Sequence, residues 1–209
     1  MNCPIAAMDA TDCRTRLIKA ATEAFLEEGY RASVDRIATR AGVAKQTLYN
    51  NFTSKEELFR EVGKLLAESV GLELCTTKDG LATTLNRFGL DLREKSLSDK
   101  GIAMYRSFHV EGARMPEMAA AIHGRVVARL AELLSGYLGK AMKQGELRQD
   151  DPLFAAEMLI AMLVHPDRAK RLAGQARLSE EEERQRVGKV VATFLQAFAT
   201  DKGNKTGQP

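Results

Sequence analysis

The chain has 209 residues, of which 44% are hydrophobic and 28% are charged. These proportions are ordinary for a folded globular protein, and they argue against bulk disorder and against a membrane-spanning protein. The net charge of +3 is too small over the whole chain to indicate a nucleic-acid partner, so the local distribution of charge must be considered. No apolar run approaches the ~20 residues of a bilayer span, and the N-terminus lacks a signal-peptide pattern. We therefore expect a cytoplasmic protein with no membrane partner.

The three cysteines, Cys3, Cys13 and Cys75, form an odd set without a CxxC pair. This pattern fits a reducing compartment better than a disulfide framework. A redox role for Cys3 or Cys13 is an alternative that the sequence leaves open.

Helical periodicity dominates the sequence and predicts an all-α fold of about nine helices. The first helix is predicted over 13–28, where Gly29 supplies the left-handed residue that ends it. Ser33 is placed to N-cap a short second helix. The turn over 41–43 separates this helix from a third, which is predicted over 44–52.

The third helix has two different faces. At 100° per residue, Ala44, Leu48 and Phe52 fall on one side, and Gln46, Tyr49 and Asn50 fall opposite them. We therefore expect one face to pack and the other to stay free.

Positive charge is concentrated between residues 31 and 55. This segment has five basic residues and one acidic residue, Asp35, an excess of four positive charges. Such an excess alone is also typical of a solvated basic face.

A longer fourth helix begins after Ser54, which is predicted to form a capping box with Glu57. We expect this helix to link two domains. Further helices are predicted over 81–97, 102–113 and 116–144, and Gly145 is the C′ residue of the last.

The C-terminal part has two more predicted helices. The Asp-Pro pair at 151–152 starts a nearly all-apolar helix, which the His-Pro pair at 165–166 is expected to end. The basic stretch over 167–177 is predicted to be a loop or a short helix. Ser179 and Glu182 then form a capping box at the start of the final helix.

Residues 29–59, GYRASVDRIATRAGVAKQTLYNNFTSKEELF, closely resemble the DNA-binding signature of the TetR family. A GY helix stop, an IAxxAGV helix and turn, a TLYxxF helix and an SKEELF cap occur at the family's spacings. Residues 108–119, FHVEGARMPEMA, are similar to the corresponding stretch in AcrR-like or AefR-like members.

The resemblance implies a three-helix helix-turn-helix DNA-binding domain over 12–60 and a helical ligand-binding and dimerisation domain over 61–200. The polar tail over 201–209 is expected to be disordered. Two positions depart from the family's pattern: Ala44 stands where Ser or Thr is usual, and Asn51 where His is usual. Ala44 removes an N-cap worth about 1 kcal/mol.

The implied function is that of a DNA-binding transcriptional regulator. We expect a homodimeric repressor that binds a palindromic operator duplex and is released by a small apolar or amphipathic effector. An activator and a regulator without a ligand are alternatives, and a helical enzyme or scaffold would require the signature to be coincidental. No HExxH, dinucleotide-binding or phosphate-binding glycine motif occurs, so we expect no catalysis, no metal and no cofactor.

The candidate DNA-binding residues lie on the third helix and near two helix N-termini. Gln46 and Asn50 are expected to read bases, since an amide can bond adenine bidentately, and Thr47 to touch a thymine methyl group or a phosphate. A cation in a first helical turn opposes the macrodipole, so we expect Lys55 to bind a phosphate. The full set is Ser33, Lys45, Gln46, Thr47, Tyr49, Asn50, Asn51 and Lys55.

Two further sets belong to the C-terminal part. Because methionines adapt to varied ligands, and because the resemblance places a pocket among these helices, four side chains are candidates to line an apolar cavity, with core packing as the alternative. They are Met104, Phe108, Met115 and Met118. The last two helices carry more apolar surface than a monomer buries, and the family dimerises through such a pair. The expected interface residues are Met158, Met162, Phe194, Leu195 and Phe198.

Overall fold

The computed structural model describes residues 13–76, 79–114 and 116–200. Within these ranges, only the backbone is described at residues 66–67, 70–73, 75–76, 107–108, 110–114 and 116–127. The tail over 201–209, expected to be disordered, and Cys3 lie outside the described residues.

Over the described ranges the chain forms nine α-helices and one short 3₁₀ helix and has no strand, so the predicted all-α fold is confirmed. The 3₁₀ helix covers Gly29–Arg31. The helices are α1 (Cys13–Glu28), α2 (Val34–Ala41), α3 (Lys45–Asn51), α4 (Lys55–Thr76), α5 (Leu81–Leu97), α6 (Asp99–Arg114), α7 (Pro116–Lys143), α8 (Pro152–Leu172) and α9 (Glu180–Ala197). None of these helices, over the part that the structure describes, is long and apolar enough to cross a membrane.

The chain divides into two compact units. The first contains the described residues up to Ala67 together with Asp99–Ala128, and the second contains Glu68–Ser98 together with the described residues from Arg129 onward. Two of the three divisions fall inside α4 and α7, so the backbone of both helices continues from one unit into the other, and the third lies between α5 and α6. The functional boundary expected near residue 60 stays a prediction.

The core of the first unit includes an aromatic cluster between α1 and α4. The ring of Phe59 lies edge-on to Phe25 and Tyr30, with centroids 4.8 Å and 5.3 Å away. Gly29 has φ +66°, as its predicted role at the end of α1 requires, and this turn brings Tyr30 back over the core. The Tyr30 hydroxyl donates to Glu56 Oε1 at 2.6 Å, which holds the pKa of Glu56 below its ordinary value.

In the second unit, α5 packs against α8 and α9. These helices come close together at Gly89, where an added Cβ would lie 2.7 Å from Val187 Cγ1 and 3.0 Å from Leu163 Cδ2. A side chain at this position would therefore force the side chains of Val187 and Leu163 to shift. Gly89 permits the tight contact.

A buried ion network joins the same three helices. Arg93 of α5 is 1% exposed, and its guanidinium donates to Asp167 of α8 at 2.8 Å and to Glu183 of α9 at 2.5 Å. Arg93 Nη1 also donates to the Leu163 carbonyl. Burial disfavours the charged form of Asp167, but hydrogen bonds from Lys170 and Arg93 outweigh it and hold its pKa below the ordinary value.

The predicted end of α8 at the His-Pro pair is wrong, because the helix continues through Pro166 to Leu172. A proline inside a helix removes one hydrogen bond and crowds the preceding turn. Contacts with α5 stabilise the turns beyond it: Asp167 is held by Arg93, and Arg171 Nε donates to the Leu97 carbonyl at 3.2 Å. The predicted loop begins only after Leu172.

The two predicted capping boxes differ. Ser179 and Glu182 bond each other's backbone N–H groups, at 3.3 Å and 2.8 Å, and form the box. Ser54 accepts from the Glu57 N–H at 3.1 Å, but the Glu57 carboxylate bonds the backbone and hydroxyl of Thr53 instead. The box at α4 is therefore only half formed, which corrects the prediction.

Candidate DNA-binding surface

Helices α2 and α3 form a tight helix-turn-helix. The Ser33 hydroxyl accepts from the Arg36 N–H at 3.1 Å, so the predicted N-cap of α2 is confirmed. Gly42 ends α2 with φ +66°, and the Val43 N–H bonds the Ala38 carbonyl at 3.0 Å. A residue with a Cβ rarely adopts this conformation, so Gly42 allows the sharp turn into α3.

Helix α3 has seven residues, and a helix this short depends on packing against its neighbours. Leu48 is fully buried, and Phe52, directly after the helix, is 1% exposed. Ala44 occupies the N-cap without a side-chain bond, as its departure from the family's pattern predicts. At the other end, Arg14 Nη1 of α1 donates to the Asn51 carbonyl at 3.1 Å.

The opposite face of α3 is exposed and polar. Gln46 and Asn50 are both exposed, and Tyr49 beside them is 41% exposed. Gln46 Nε2 donates to Asn50 Oδ1 at 3.2 Å, which joins the two amides one turn apart. Each amide has further donor and acceptor groups that can bond a base. The predicted division into a packing face and a free face is confirmed within α3 and at Phe52. It is wrong at Ala44, which is exposed because its extended backbone places it before the first helical turn. The base contacts stay a prediction.

Lys45, at the start of α3, forms an ion pair with Asp35 of α2. The Lys45 Nζ lies 3.0 Å from the Asp35 carboxylate. This hydrogen bond raises the pKa of Lys45 above its ordinary value. A phosphate at Lys45 would have to compete with Asp35.

The positive excess between residues 31 and 55 is reduced by acids from α1. Glu28 pairs with Arg36 at 2.8 Å, and Glu27 pairs with Arg40 at 2.8 Å. The hydrogen bond from Arg40 holds the pKa of Glu27 below its ordinary value. Counting charges within the segment could not include these acids, because they precede it in the chain.

Ser33 and Lys55 lie at the N-terminal ends of α2 and α4, as predicted. The Ser33 oxygen accepts the capping bond, which leaves the hydroxyl hydrogen to donate to another group. Lys55 Nζ lies 4.4 Å from the centroid of the Tyr30 ring. This cation–π contact is a structural reason for the lysine, beside its expected phosphate contact.

Thr47 and Asn51 are half-buried. Asn51 Nδ2 donates to the Thr47 carbonyl at 2.8 Å and lies 4.0 Å from Cys13 Sγ of α1. The Asn51 amide therefore bonds within the protein, and a phosphate contact would require it to leave these partners.

The expected ligand residues are only partly described. Met104 of α6 is half-buried and packs against the core that α1, α2 and α4 share. This contact gives Met104 a packing role. The side chains of Phe108 and Met118, and the whole of Met115, lie outside the described residues, so the cavity stays a prediction.

The expected interface residues divide by burial. Phe194 of α9 and Phe198, directly after it, are 1% and 4% exposed within the chain itself, so their side chains offer little surface to a partner. Met162 and Leu195 are half-buried. The exposed apolar surface is instead at the N-terminal part of α8, where Leu153, Phe154 and Met158 are 43%, 52% and 41% exposed.

Among the residues that the structure describes, no group of three or more His, Cys, Asp or Glu side chains is placed to hold a metal ion.

The sequence interpretation missed one residue at this surface, Arg14. It lies in the first turn of α1, where a cation opposes the helix macrodipole. The same argument drew attention to Lys55, so it was available from the sequence. Its partner at the end of α3 was not, because 37 residues separate the two.

Two family models match the chain. Residues 17–62 match "Bacterial regulatory proteins, tetR family", and residues 83–200 match "AefR-like transcriptional repressor, C-terminal domain". The second match alone covers more than half of the chain.

Curated relatives are similar over parts of their length. The HTH-type transcriptional activator FasR of Mycolicibacterium smegmatis is 50% identical over 50 residues, which cover 23% of each chain. The HTH-type transcriptional regulator SrpR of Pseudomonas putida is 29% identical over 154 residues, or 68% of this chain and 66% of SrpR. The chain thus spans less than two thirds of these relatives.

Solved structures match over nearly the whole chain. A TetR-family regulator from Mesorhizobium loti is 26% identical, with a TM-score of 0.73 over 93% of this chain and 100% of that one. The flavonoid-responsive regulator FrrA is 29% identical, with a TM-score of 0.68 over 90% and 98%. These families and relatives are transcriptional regulators and not enzymes. With the helix-turn-helix described above, they show that the chain belongs to the TetR family of DNA-binding transcriptional regulators.

Proposed function

We propose that the protein is a homodimeric repressor that reads a palindromic operator through α3. The observation that carries this proposal is the Gln46–Asn50 pair, which is exposed on a helix whose opposite side is buried through Leu48 and Phe52. A rigid helix with exposed amides fits the major groove, where amides distinguish adenine from other bases. Ser33, Lys45, Thr47, Tyr49, Asn51 and Lys55 are assigned to the flanking phosphates, with Thr47 also able to touch a thymine methyl group.

The experiment begins with selection of a duplex by the wild-type protein from a random library. Gln46→Ala and Asn50→Ala should each lower affinity for the selected duplex by about 1–3 kcal/mol and relax base preference. Lys55→Ala should weaken the binding of all duplexes by a similar factor, and the slope of log affinity against log salt concentration should become shallower by about one. Lys64→Ala, at an exposed position farther along α4, is the control. A change of base preference in Lys55→Ala but not in Asn50→Ala would contradict these assignments.

Repression is favoured over activation by the longer match. The AefR-like repressor model covers 83–200, whereas the match to the activator FasR covers 50 residues. A reporter gene placed behind the selected duplex distinguishes the two, because a repressor lowers its expression and an activator raises it.

The apolar surface of α8 supports a dimer. Phe154 and Met158 lie on neighbouring turns and are exposed, and Leu195 of α9 is half-buried. Two recognition helices are needed to meet two half-sites, which a symmetric dimer supplies. Phe154→Glu should therefore split the dimer in sedimentation and abolish binding to the selected duplex, whereas Thr83→Glu, on the exposed side of α5, should not. An unchanged mass in Phe154→Glu would refute this interface.

Release by an apolar or amphipathic effector completes the proposal. FrrA, a structural relative, is flavonoid-responsive by name, which makes flavonoids the first compounds to test by thermal shift. A ligand acts only through its different affinity for the two states, so a 100-fold loss of DNA affinity requires about 2.7 kcal/mol of coupling. By reciprocity, the duplex must weaken ligand binding by the same factor. Equal ligand affinity with and without the duplex would remove the effector from the proposal.

A further inference from the structure

Arg14 of α1 contacts three residues of two other structural elements with one side chain. Its Nη1 donates to the carbonyl of Asn51, the last residue of α3, at 3.1 Å. Its Nη2 lies 3.4 Å from Glu61 Oε2 of α4. The guanidinium carbon also lies 4.4 Å from the centroid of the Phe52 ring, directly after α3. Arg14 therefore links α1, the end of α3 and α4.

The positive charge of Arg14 stabilises the C-terminal end of α3. A cation in the first turn of α1 opposes the dipole of α1, but the same cation lies at the negative C-terminal end of α3. The last carbonyls of a helix have no partners within it, and Arg14 satisfies one of them. At the opposite end of α3, Ala44 provides no side-chain cap. The orientation of this short helix thus depends on contacts such as this one.

Only a guanidinium can make all three contacts. Its planar group carries several N–H donors and can stack on a ring while it bonds two acceptors. A lysine ammonium keeps the charge but loses the planar geometry. Substitution of Arg14 by lysine therefore keeps the positive charge and tests the contribution of the planar geometry alone.

We propose that Arg14 is a positioning residue that fixes the orientation of α3 and so aligns Gln46 and Asn50 with the bases. The inference rests on the proposed function, because it assigns base reading to this face of α3. Arg14 acts through Asn51 and Phe52. Its contribution is therefore specific to the sequence-reading complex, in which α3 has to meet the bases in one orientation.

The test compares Arg14→Lys with wild type and with Arg16→Lys, a matched change at an exposed position two residues away on α1. Affinity is measured for a duplex selected by the wild-type protein and for a shuffled duplex of the same length, each across a salt series. Arg14→Lys should lose about tenfold in affinity for the selected duplex, as expected for loss of a charged hydrogen bond. Affinity for the shuffled duplex and the salt slope should not change, since the charge is kept.

Hydrogen exchange of the free protein supplies a measurement without DNA. Arg14→Lys should speed amide exchange over residues 45–52 and leave α5 unchanged, while Arg16→Lys should leave both unchanged. A different pattern would make Arg14 a phosphate contact and overturn the proposal. In that pattern Arg14→Lys binds both duplexes with wild-type affinity, whereas Arg14→Gln binds both more weakly and the slope of log affinity against log salt concentration becomes shallower by about one. Unchanged exchange over α3 in Arg14→Lys would also overturn it.

The same data separate this inference from the proposed function. If the wild-type protein selects no duplex, the proposed function fails, and the DNA-reading role of Arg14 fails with it. If wild type selects a duplex but Arg14→Lys binds it normally, only the role of Arg14 is overturned.

Discussion

Replacement of Arg93 by methionine should destabilise the protein strongly, because it leaves two carboxylates without their shared buried cation. Removing one member of a buried ion pair typically costs about 3–5 kcal/mol. Asp167 keeps Lys170 at 3.0 Å and Arg186 at 3.2 Å, so its charge stays compensated. Glu183 keeps only Arg177 at 3.9 Å among the ion pairs described. We therefore expect the free energy of unfolding to fall by about 3 kcal/mol, the lower end of this range. The loss should arise mainly at Glu183.

Urea unfolding at neutral pH and one fixed protein concentration measures this loss, since the stability of a dimer depends on concentration. The melting temperature should fall by about 6–12 °C for a chain of this size. Arg87→Met is the control on the same helix, because Arg87 pairs with Asp79 at the surface and should contribute less than about 1 kcal/mol.

A double-mutant cycle shows which of the two carboxylates causes the loss of stability. In the Arg93→Met background, Glu183→Gln removes the uncompensated charge and should recover more stability than Asp167→Asn does. If Arg93→Met is no more destabilising than Arg87→Met, the network does not hold α5, α8 and α9 together and the reasoning is refuted.

Three smaller effects should follow from the packing, capping and charge of the second unit. Gly89→Ala should destabilise the protein by about 1–3 kcal/mol through overpacking, whereas Gly136→Ala, whose added Cβ meets no atom within 4 Å, should stabilise its helix. Urea unfolding measures both changes in stability, and two changes in the same direction would contradict this reasoning. Asp151→Ala should cost about 0.5–2 kcal/mol because Asp151 caps α8, and Asp151→Asn should cost little; equal losses would show that the cap is not the cause. The hydrogen bond from Arg177 holds the pKa of Glu94 below its ordinary value, so this ion pair's contribution to stability is present above the ordinary pKa and is lost as the pH falls through the lower folded pKa. In Glu94→Gln, the free energy of unfolding should therefore fall less steeply as the pH is lowered into the acid range. The same pH dependence as in wild type would exclude this ion pair as a contributor.

Features that depend on residues within one helical turn could be predicted from the sequence. Gly29, Gly42 and Gly145 all have positive φ where helix ends were expected, and Ser179 forms the expected capping box. The two faces of α3 were also predicted, because helical periodicity alone decides which side chains share a side. These features need no knowledge of the partners that a helix packs against.

Only the tertiary structure decided the features that depend on distant residues. Helix α8 passes through Pro166 because Arg93, more than 70 residues earlier, holds the turn beyond the proline. Periodicity placed Phe194 on an apolar face, but it cannot tell whether that face meets the chain's own core or a second copy. Arg14 reaches α3 across 37 residues. The physical reason is common to all three: a cap is formed by neighbours in the chain, whereas the partner of a buried charge or ring is set by how the helices pack.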